Sequence, residues 1–361
     1  MKHIIVYQEE GRYAAWPANY GIWGFGNEIV VGFTSGYYLN DGGFHSRDRT
    51  KPFTAMQARS LDGGEHWECV EMPVKTPGNL GLSVGEHTKP NSHDLEINKP
   101  IPLDTAVDFQ DEQFAMMFGR KDLEGDAASW FYVSQDRCHS WQGPFELSKM
   151  NQIGVAARTD YLVESSSAAL IFLTAQTISG QEIGSRVFAA RTEDGGKTHQ
   201  FLSWIDEPDE HVFSIMPASV RISDNKILVA NRLRKYEDND QTSNYIDLYC
   251  SEDNGESWRY VTRPVSNTGI GGNPPTLTLL QDGRLVMTYG FRDQKCGMRA
   301  KISCDQGETW GEEIILRDDA GNHDVGYPRA VLRPDGTLVV IYYYNDEQFR
   351  SCYIAATLWK P

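Results

Sequence analysis

Five short stretches of this chain repeat one pattern, Ser/Thr-x-Asp followed by a tight turn and a closing ring, and their spacing restricts the fold more than any other feature. They read Ser60-Leu-Asp62-Gly-Gly64-Glu-His-Trp67, Ser134-Gln-Asp136-Arg-Cys-His-Ser140-Trp141, Thr192-Glu-Asp194-Gly-Gly196-Lys-Thr198-His199, Ser251-Glu-Asp253-Asn-Gly255-Glu-Ser257-Trp258 and Ser303-Cys-Asp305-Gln-Gly307-Glu-Thr-Trp310. The aspartates lie 74, 58, 59 and 52 residues apart, so each copy marks one supersecondary unit. The chemistry is that of a hairpin turn. Asp accepts bonds from nearby backbone N–H groups, Gly supplies a positive φ, and the closing Trp packs beneath the turn. A calcium loop would need oxygen ligands at alternate positions, where these copies carry Leu, Arg, Gly or Gln, so the aspartates read as structural.

A second repeat runs independently of the first. Tyr327-Pro-Arg329-Ala-Val-Leu-Arg-Pro-Asp335-Gly336-Thr-Leu-Val-Val-Ile-Tyr-Tyr-Tyr344 reads as an apolar strand, an Asp-Gly turn and a second apolar strand. Its counterparts begin at Trp16-Pro17, Leu103-Asp104, Thr159-Asp160, Met216-Pro217 and Asn273-Pro274, at intervals of 87, 56, 57, 57 and 54 residues. The long first interval places an extended loop in 74–100, of the kind that is functional or disordered in compact domains. The sixth copy lacks the Ser/Thr-x-Asp pattern, so its outer strand Cys352–Trp359 needs a partner, and Ile4–Gln8 from the other end of the chain is the natural one.

Asp boxes between the two outer strands of each blade are the hallmark of the sialidase-type β-propellers, which this chain resembles over nearly its whole length. The resemblance implies an all-β, six-bladed β-propeller formed by a single domain of residues 1–361, its ring closed by N- and C-terminal strands in one blade. It also implies an exo-sialidase-like glycosidase. Related propellers include polysaccharide lyases and non-catalytic sugar-binding proteins, so three functions stand: hydrolysis of an anionic glycoside, lyase action on uronate-containing glycans, or sugar binding alone.

The formal charge of −16 argues against nucleic acid and anionic membrane as partners, since both demand a basic face. The six cysteines, at 69, 138, 250, 296, 304 and 352, show no C-x-x-C spacing and read as buried free thiols. The opening segment lacks the apolar run of a signal peptide, and as given the chain reads as cytoplasmic. No metal, nucleotide or serine-hydrolase signature is present, and no cofactor is expected.

If the Asp boxes lie at the bottom of the ring, the starts of inner strands and the ends of second strands meet at the top. That mouth receives Arg158 and Asp160, Arg232 and Arg234, Arg292, then Tyr327 and Arg329, with Asp104 and Arg120 from the second blade. The loop after the first blade adds His45, Arg47, Asp48 and Arg49. Guanidinium forks bind carboxylates bidentately, so an arginine cluster on an acidic protein points to an acidic carbohydrate as substrate. Arg232, Arg292 and Arg329 are the expected clamp, and Trp16 a sugar-stacking platform.

Sialidases use a tyrosine nucleophile, and Tyr327 stands where that pattern puts it. Asp48 resembles the family's acid/base in position, with Asp324 as rival. The chain departs from the pattern in carrying Ala15-Trp16-Pro17 in place of Arg-Ile-Pro, and Met216 in place of the glutamate that polarises the tyrosine. His45, His87, His93, His211 and His323 also fall in top-face loops. His, Tyr and Arg together can serve β-elimination on uronates, which is why the lyase is the second reading.

Overall fold

In the computed structural model, which describes residues 1–79, 82, 97–121, 127–179, 182–209, 211–237 and 241–361, half of the chain is strand and 2% is helix. Strand β1 (Lys2–Tyr7) comes first. The next unit holds β2 (Arg12–Ala15), β3 (Ile22–Phe25), β4 (Glu28–Tyr37), β5 (Thr54–Ser60) and β6 (Glu68–Glu71), with the one-turn helix α1 (Pro17–Tyr20) between β2 and β3. A three-stranded unit follows: β7 (Ala115–Arg120), β8 (Ser129–Ser134) and β9 (Gln142–Glu146). The third contains β10 (Gly154–Ala156), β11 (Tyr161–Val163), β12 (Ala169–Ser179), β13 (Glu182–Thr192) and β14 (Gln200–Trp204). The fourth contains β15 (Val212–Arg221), β16 (Ile227–Tyr236), β17 (Thr242–Ser251) and β18 (Arg259–Val265). The fifth is β19 (Pro275–Leu279), β20 (Leu285–Phe291), β21 (Gly297–Ser303) and β22 (Ile314–Arg317), and the last is β23 (Gly326–Leu332), β24 (Leu338–Tyr344) and β25 (Tyr353–Trp359). Pairing within each unit is antiparallel, with β2 and β3 both on β4 and β10 and β11 both on β12, and a parallel pair, Ser185 with Phe213, joins the third unit to the fourth.

Each Asp turn sits between the last two strands of its unit, as its pattern predicts. In the fifth, Ser303 Oγ donates to Asp305 Oδ1 at 2.8 Å and accepts from the N–H of Gly307 at 2.8 Å, while the N–H of Thr309 donates to Asp305 Oδ1 at 2.9 Å. Trp310 Nε1 closes the turn on the carbonyl of Gly307 at 3.0 Å. The same Ser/Thr-to-Asp and Gly-to-Ser/Thr bonds recur in the other copies, except that Cys138 occupies the glycine position with φ 63°. In the third copy His199 replaces the Trp and packs edge-on against Phe131 at 5.2 Å.

The outer strand β25 does pair with β1, from Lys2 opposite Leu358 to Tyr7 opposite Ile354. Val6 enters the core there beside Ile354 and Ala356. The stretch opening at Leu103-Asp104 differs from expectation, because it forms no inner strand. Its apolar residues Leu103, Val107, Phe109 and Phe114 do not alternate, so they anchor a run of turns into the core, with Asp108 and Asp111 accepting N–H bonds two residues ahead. All six cysteines are free thiols, but only Cys138, Cys250 and Cys352 are buried, and Cys304 is exposed in the fifth turn. His87 and His93, and most of the long first loop, lie outside the described residues.

Candidate functional site

Among the described residues, three that are not glycine take left-handed backbone immediately before a proline: Trp16 (φ 59°), Met216 (φ 58°) and Tyr327 (φ 52°). They occupy equivalent positions of their repeats. Bulky residues resist this conformation, so each such site needs surrounding bonds to hold it. At Tyr327 the holder is the fully buried Asn273, whose Oδ1 accepts the Tyr327 N–H at 2.8 Å while its Nδ2 donates to the carbonyl of Val325 at 2.9 Å. Gly326 is required beside it, since a Cβ there would sit 2.3 Å from the Asn273 side chain.

So held, the Tyr327 hydroxyl meets Arg232, whose Nη1 donates to it at 3.1 Å and to Met216 Sδ at 3.3 Å. Arg232 also donates to the carbonyl of Gly271, as does Arg234 at 2.8 Å. The Arg292 guanidinium lies 5.7 Å from the Tyr327 ring centre and is fixed by the carbonyls of Val325 (3.0 Å) and Gly272 (2.9 Å) and by the Tyr343 hydroxyl. Arg232, Arg234, Arg292 and Tyr327 are thus brought together as the topology predicts.

Asp324 joins them from the turn before β23. It is 2% exposed and accepts from the Tyr13 hydroxyl at 2.9 Å, His45 Nδ1 at 2.7 Å and the Tyr343 hydroxyl at 3.0 Å. Burial pushes its pKa up, but the charge and bond of His45, the Arg292 charge and the Tyr13 bond outweigh it and hold the carboxyl at about 2. An ionised carboxylate only accepts, so His45 carries its proton on Nδ1 and presents Nε2 as the exchanging atom. Burial draws the His45 pKa below 6.5 against the pull of Asp324. Phe44 next to it covers the Arg292 guanidinium at 5.4 Å and packs on His323 at 4.6 Å. A Cβ on Gly271 would come 2.6 Å from the Phe44 ring, so only glycine lets this loop lie across the mouth.

Other expected residues fall elsewhere. Asp48 is taken up by its own turn, accepting the Thr50 N–H at 2.9 Å and hydroxyl at 2.6 Å with Lys51 at 3.7 Å, because an Asx turn with the Thr two residues on is the shorter-range bond. Arg329 lies away from the other clamp arginines, donating to the carbonyls of Ala18 and Thr159 near Asp160. Arg158 donates to the carbonyl of Pro217 at 3.1 Å. Trp16 is 3% exposed, packed among Tyr13, His45 and Tyr343 with the Arg47 guanidinium 4.9 Å from its ring, so it offers no open stacking face.

Tyr13 and Phe44 were not anticipated, Asn273 was expected only as the start of an inner strand, and Tyr343 only as one of an aromatic run of which at most half could face the mouth. Tyr343 had a signal, since alternate residues of a strand face opposite ways: its hydroxyl meets Asp324 while Tyr342 and Tyr344 turn to Thr357 and Asp319. Among the described residues no group of three or more His, Cys, Asp or Glu is arranged to hold a metal. A cleft of about 860 Å³ lined by residues of the third and fourth units holds two ion pairs, Arg263 with Asp247 at 2.7 Å and Arg186 with Asp206 at 3.3 Å.

No known protein family and no curated protein matches the chain by sequence. Solved structures do match in shape. A protein of unknown function from Dyadobacter fermentans is similar with a TM-score of 0.71 at 20% identity, over 99% of this chain and 97% of that one. The Penicillium chrysogenum α-L-arabinanase, solved with arabinobiose, has a TM-score of 0.63 at 12% identity over 99% and 98%. The NanB sialidase of Streptococcus pneumoniae has 0.60 at 12% identity, over 97% of this chain and 69% of its own. The chain therefore has an all-β fold shared with the β-propeller glycosidases.

Proposed function

We propose that the units are the six blades of a ring closed through β1 and β25, and that its mouth is the active site of a sialidase-like glycoside hydrolase acting on a carboxylate-bearing sugar. The observation that carries this reading is the juxtaposition of Tyr327 with Arg232 and Arg292 beside a His45–Asp324 pair. Arg232 and Arg292 each use three of five N–H donors on the contacts above, which fixes both guanidinium planes and leaves donors for a substrate carboxylate.

Arg232 donates to Tyr327 Oη, so the oxygen that gives its proton to solvent before attack keeps a hydrogen-bond donor, which Met216 cannot supply. Tyr327 Oη attacks the anomeric carbon as the glycosidic bond breaks, and the leaving oxygen takes the proton of imidazolium His45 from Nε2. Neutral His45 then accepts a proton from the water that hydrolyses the tyrosyl intermediate.

Elimination is the second reading. It is favoured by the engagement of Asp324 with three donors and of Asp48 with its turn, which leaves Tyr327 and the mouth histidines as the proton-transfer groups.

The test uses aryl glycosides of acidic sugars against their methyl esters. Tyr327→Phe is expected to lower kcat about 10²–10⁴-fold with little change in KM. Arg292→Lys is expected to weaken acid recognition about ten- to a hundredfold, because a point charge does not replace the fork. Turnover that needs protonated His45 falls as pH rises past a value below 6.5. Equal handling of acid and ester would remove the carboxylate clamp, and an ultraviolet-absorbing unsaturated product would replace hydrolysis by elimination.

A further inference from the structure

The cleft lined by the third and fourth units is opposite in character to the mouth. On β16, Arg232 and Arg234 serve the mouth while Leu233 between them lines the cleft, and on β17 Asn244 meets Arg234 while Tyr245 lines the cleft. Alternate residues of a strand face opposite ways, so the two sites lie on opposite faces of the fourth unit. A volume of about 860 Å³ is that of a small-molecule site.

Four carboxylates, Asp206, Glu207, Asp209 and Asp247, line it against two guanidiniums, with the N–H of His211 donating to Asp209 at 2.9 Å. Each guanidinium lies over a ring beside a carboxylate: Arg263 is 3.6 Å from the Tyr245 ring centre and paired with Asp247, and Arg186 is 4.4 Å from the Trp204 ring centre and paired with Asp206. The negative face of an aromatic ring attracts a cation, so the walls of the cleft already hold two cations in this way.

A third aromatic position has no cation of its own. Tyr249 and Tyr260 meet edge to face at 5.9 Å. Tyr249 is 7% exposed and lines the cleft with a hydroxyl that meets no partner among the described residues, while Tyr260 is 53% exposed at the opening. Burial raises the Tyr249 pKa, and the charges of Asp206 and Asp247 raise it further, so the field at this wall is negative. Burial also pushes the Asp206 carboxyl up to about 6 against its bonds and the pull of Arg186. Among the described residues, neither Glu207 nor Asp209 is paired with an arginine or lysine, and no three acidic, His or Cys side chains converge to hold a metal. Negative charge spread around a wide aromatic space suits a bulky organic cation better than a compact, strongly hydrated ion.

We propose that this cleft binds a small organic ammonium compound, its cationic head on the Tyr249–Tyr260 wall in the field of the four carboxylates. The site is independent of the chemistry of the mouth.

Isothermal titration with choline and with ethanolamine, at fixed ionic strength in sodium chloride, tests this without an activity assay, and 3,3-dimethylbutan-1-ol, the neutral isostere of choline, is the control. Saturable binding of at least one ammonium probe is expected, with Tm raised by about 2–4 °C at roughly ten to a hundred times its Kd. Tyr260 and Glu207 are exposed at the opening, where substitution leaves the core intact. Tyr260→Ala should weaken binding about two- to thirtyfold, and Glu207→Gln about two- to fivefold. Arg292→Lys, in the mouth, should leave it unchanged. Equal binding of the neutral alcohol would reduce the cleft to an apolar hollow, and loss of binding in Arg292→Lys would move the ammonium to the mouth. Either result overturns the proposal, as does a response to calcium chloride with none to choline or ethanolamine, or no response to any probe.

Discussion

A carboxylate that accepts three hydrogen bonds in a nearly dry pocket stabilises the folded state when ionised. For Asp324 the folded pKa of about 2 lies below the ordinary 3.8, so its contribution is fully present above pH 4 and is lost as pH falls from 4 to 2. The shift corresponds to about 2 kcal/mol. Asp324→Asn should therefore lower stability at pH 7 by an amount that shrinks in that window, which denaturant unfolding at several pH values measures. An unchanged gap between pH 7 and pH 2 would show that the network does not depend on the charge. At this scale the sequence was half legible. Tyr327, Arg232 and Arg292 could be placed from strand ends alone, but choosing between Asp48 and Asp324 required distances between loops. One local cue was available, the Thr two residues after Asp48, which marks a carboxylate already committed to its own turn.

Turns and strands were the most readable elements, because each Asp turn closes bonds within about eight residues and carries its instructions locally. The exception is instructive. Leu103 to Phe114 has the apolar content of an inner strand but not the alternation, and apolar content alone secured burial without a ladder. The third turn makes a testable departure of its own. His199 is 8% exposed, and burial lowers its pKa to about 4 from 6.5. The unfolded state then binds more protons below 6.5, so stability falls as pH drops from 6.5 to 4, by up to about 3 kcal/mol. His199→Phe removes that titration. Its stability relative to wild type should rise across this range, and parallel pH profiles for the two proteins would rule out a buried neutral His199.

For the whole molecule, regular spacing carried the architecture, and nothing in composition could show which arginines would end up facing backbone carbonyls. Arg329 and Arg292 look alike in sequence, yet the register shift between Gly326 and Arg329 turns Arg329 toward Asp160, while Arg292 reaches Tyr343. The pairing of β1 with β25 yields the prediction at this scale. Removing residues 1–8 exposes the β25 edge and takes Val6 from the core, so the truncated chain should unfold several degrees lower and self-associate. A truncated chain with wild-type Tm and a single monomeric species would show that β25 does not need this partner.

That pairing also sets an order of events during synthesis. Lys2–Tyr7 leaves the ribosome more than three hundred residues before its partner Tyr353–Trp359, a delay of roughly 20–70 s at ordinary elongation rates. Throughout that interval the nascent chain carries an unmatched strand, and the intervening sheets must form without it. The clasp forms only after the intervening sheets, which makes Lys2–Tyr7 the natural point of attack for chaperones and proteases acting on the growing polypeptide.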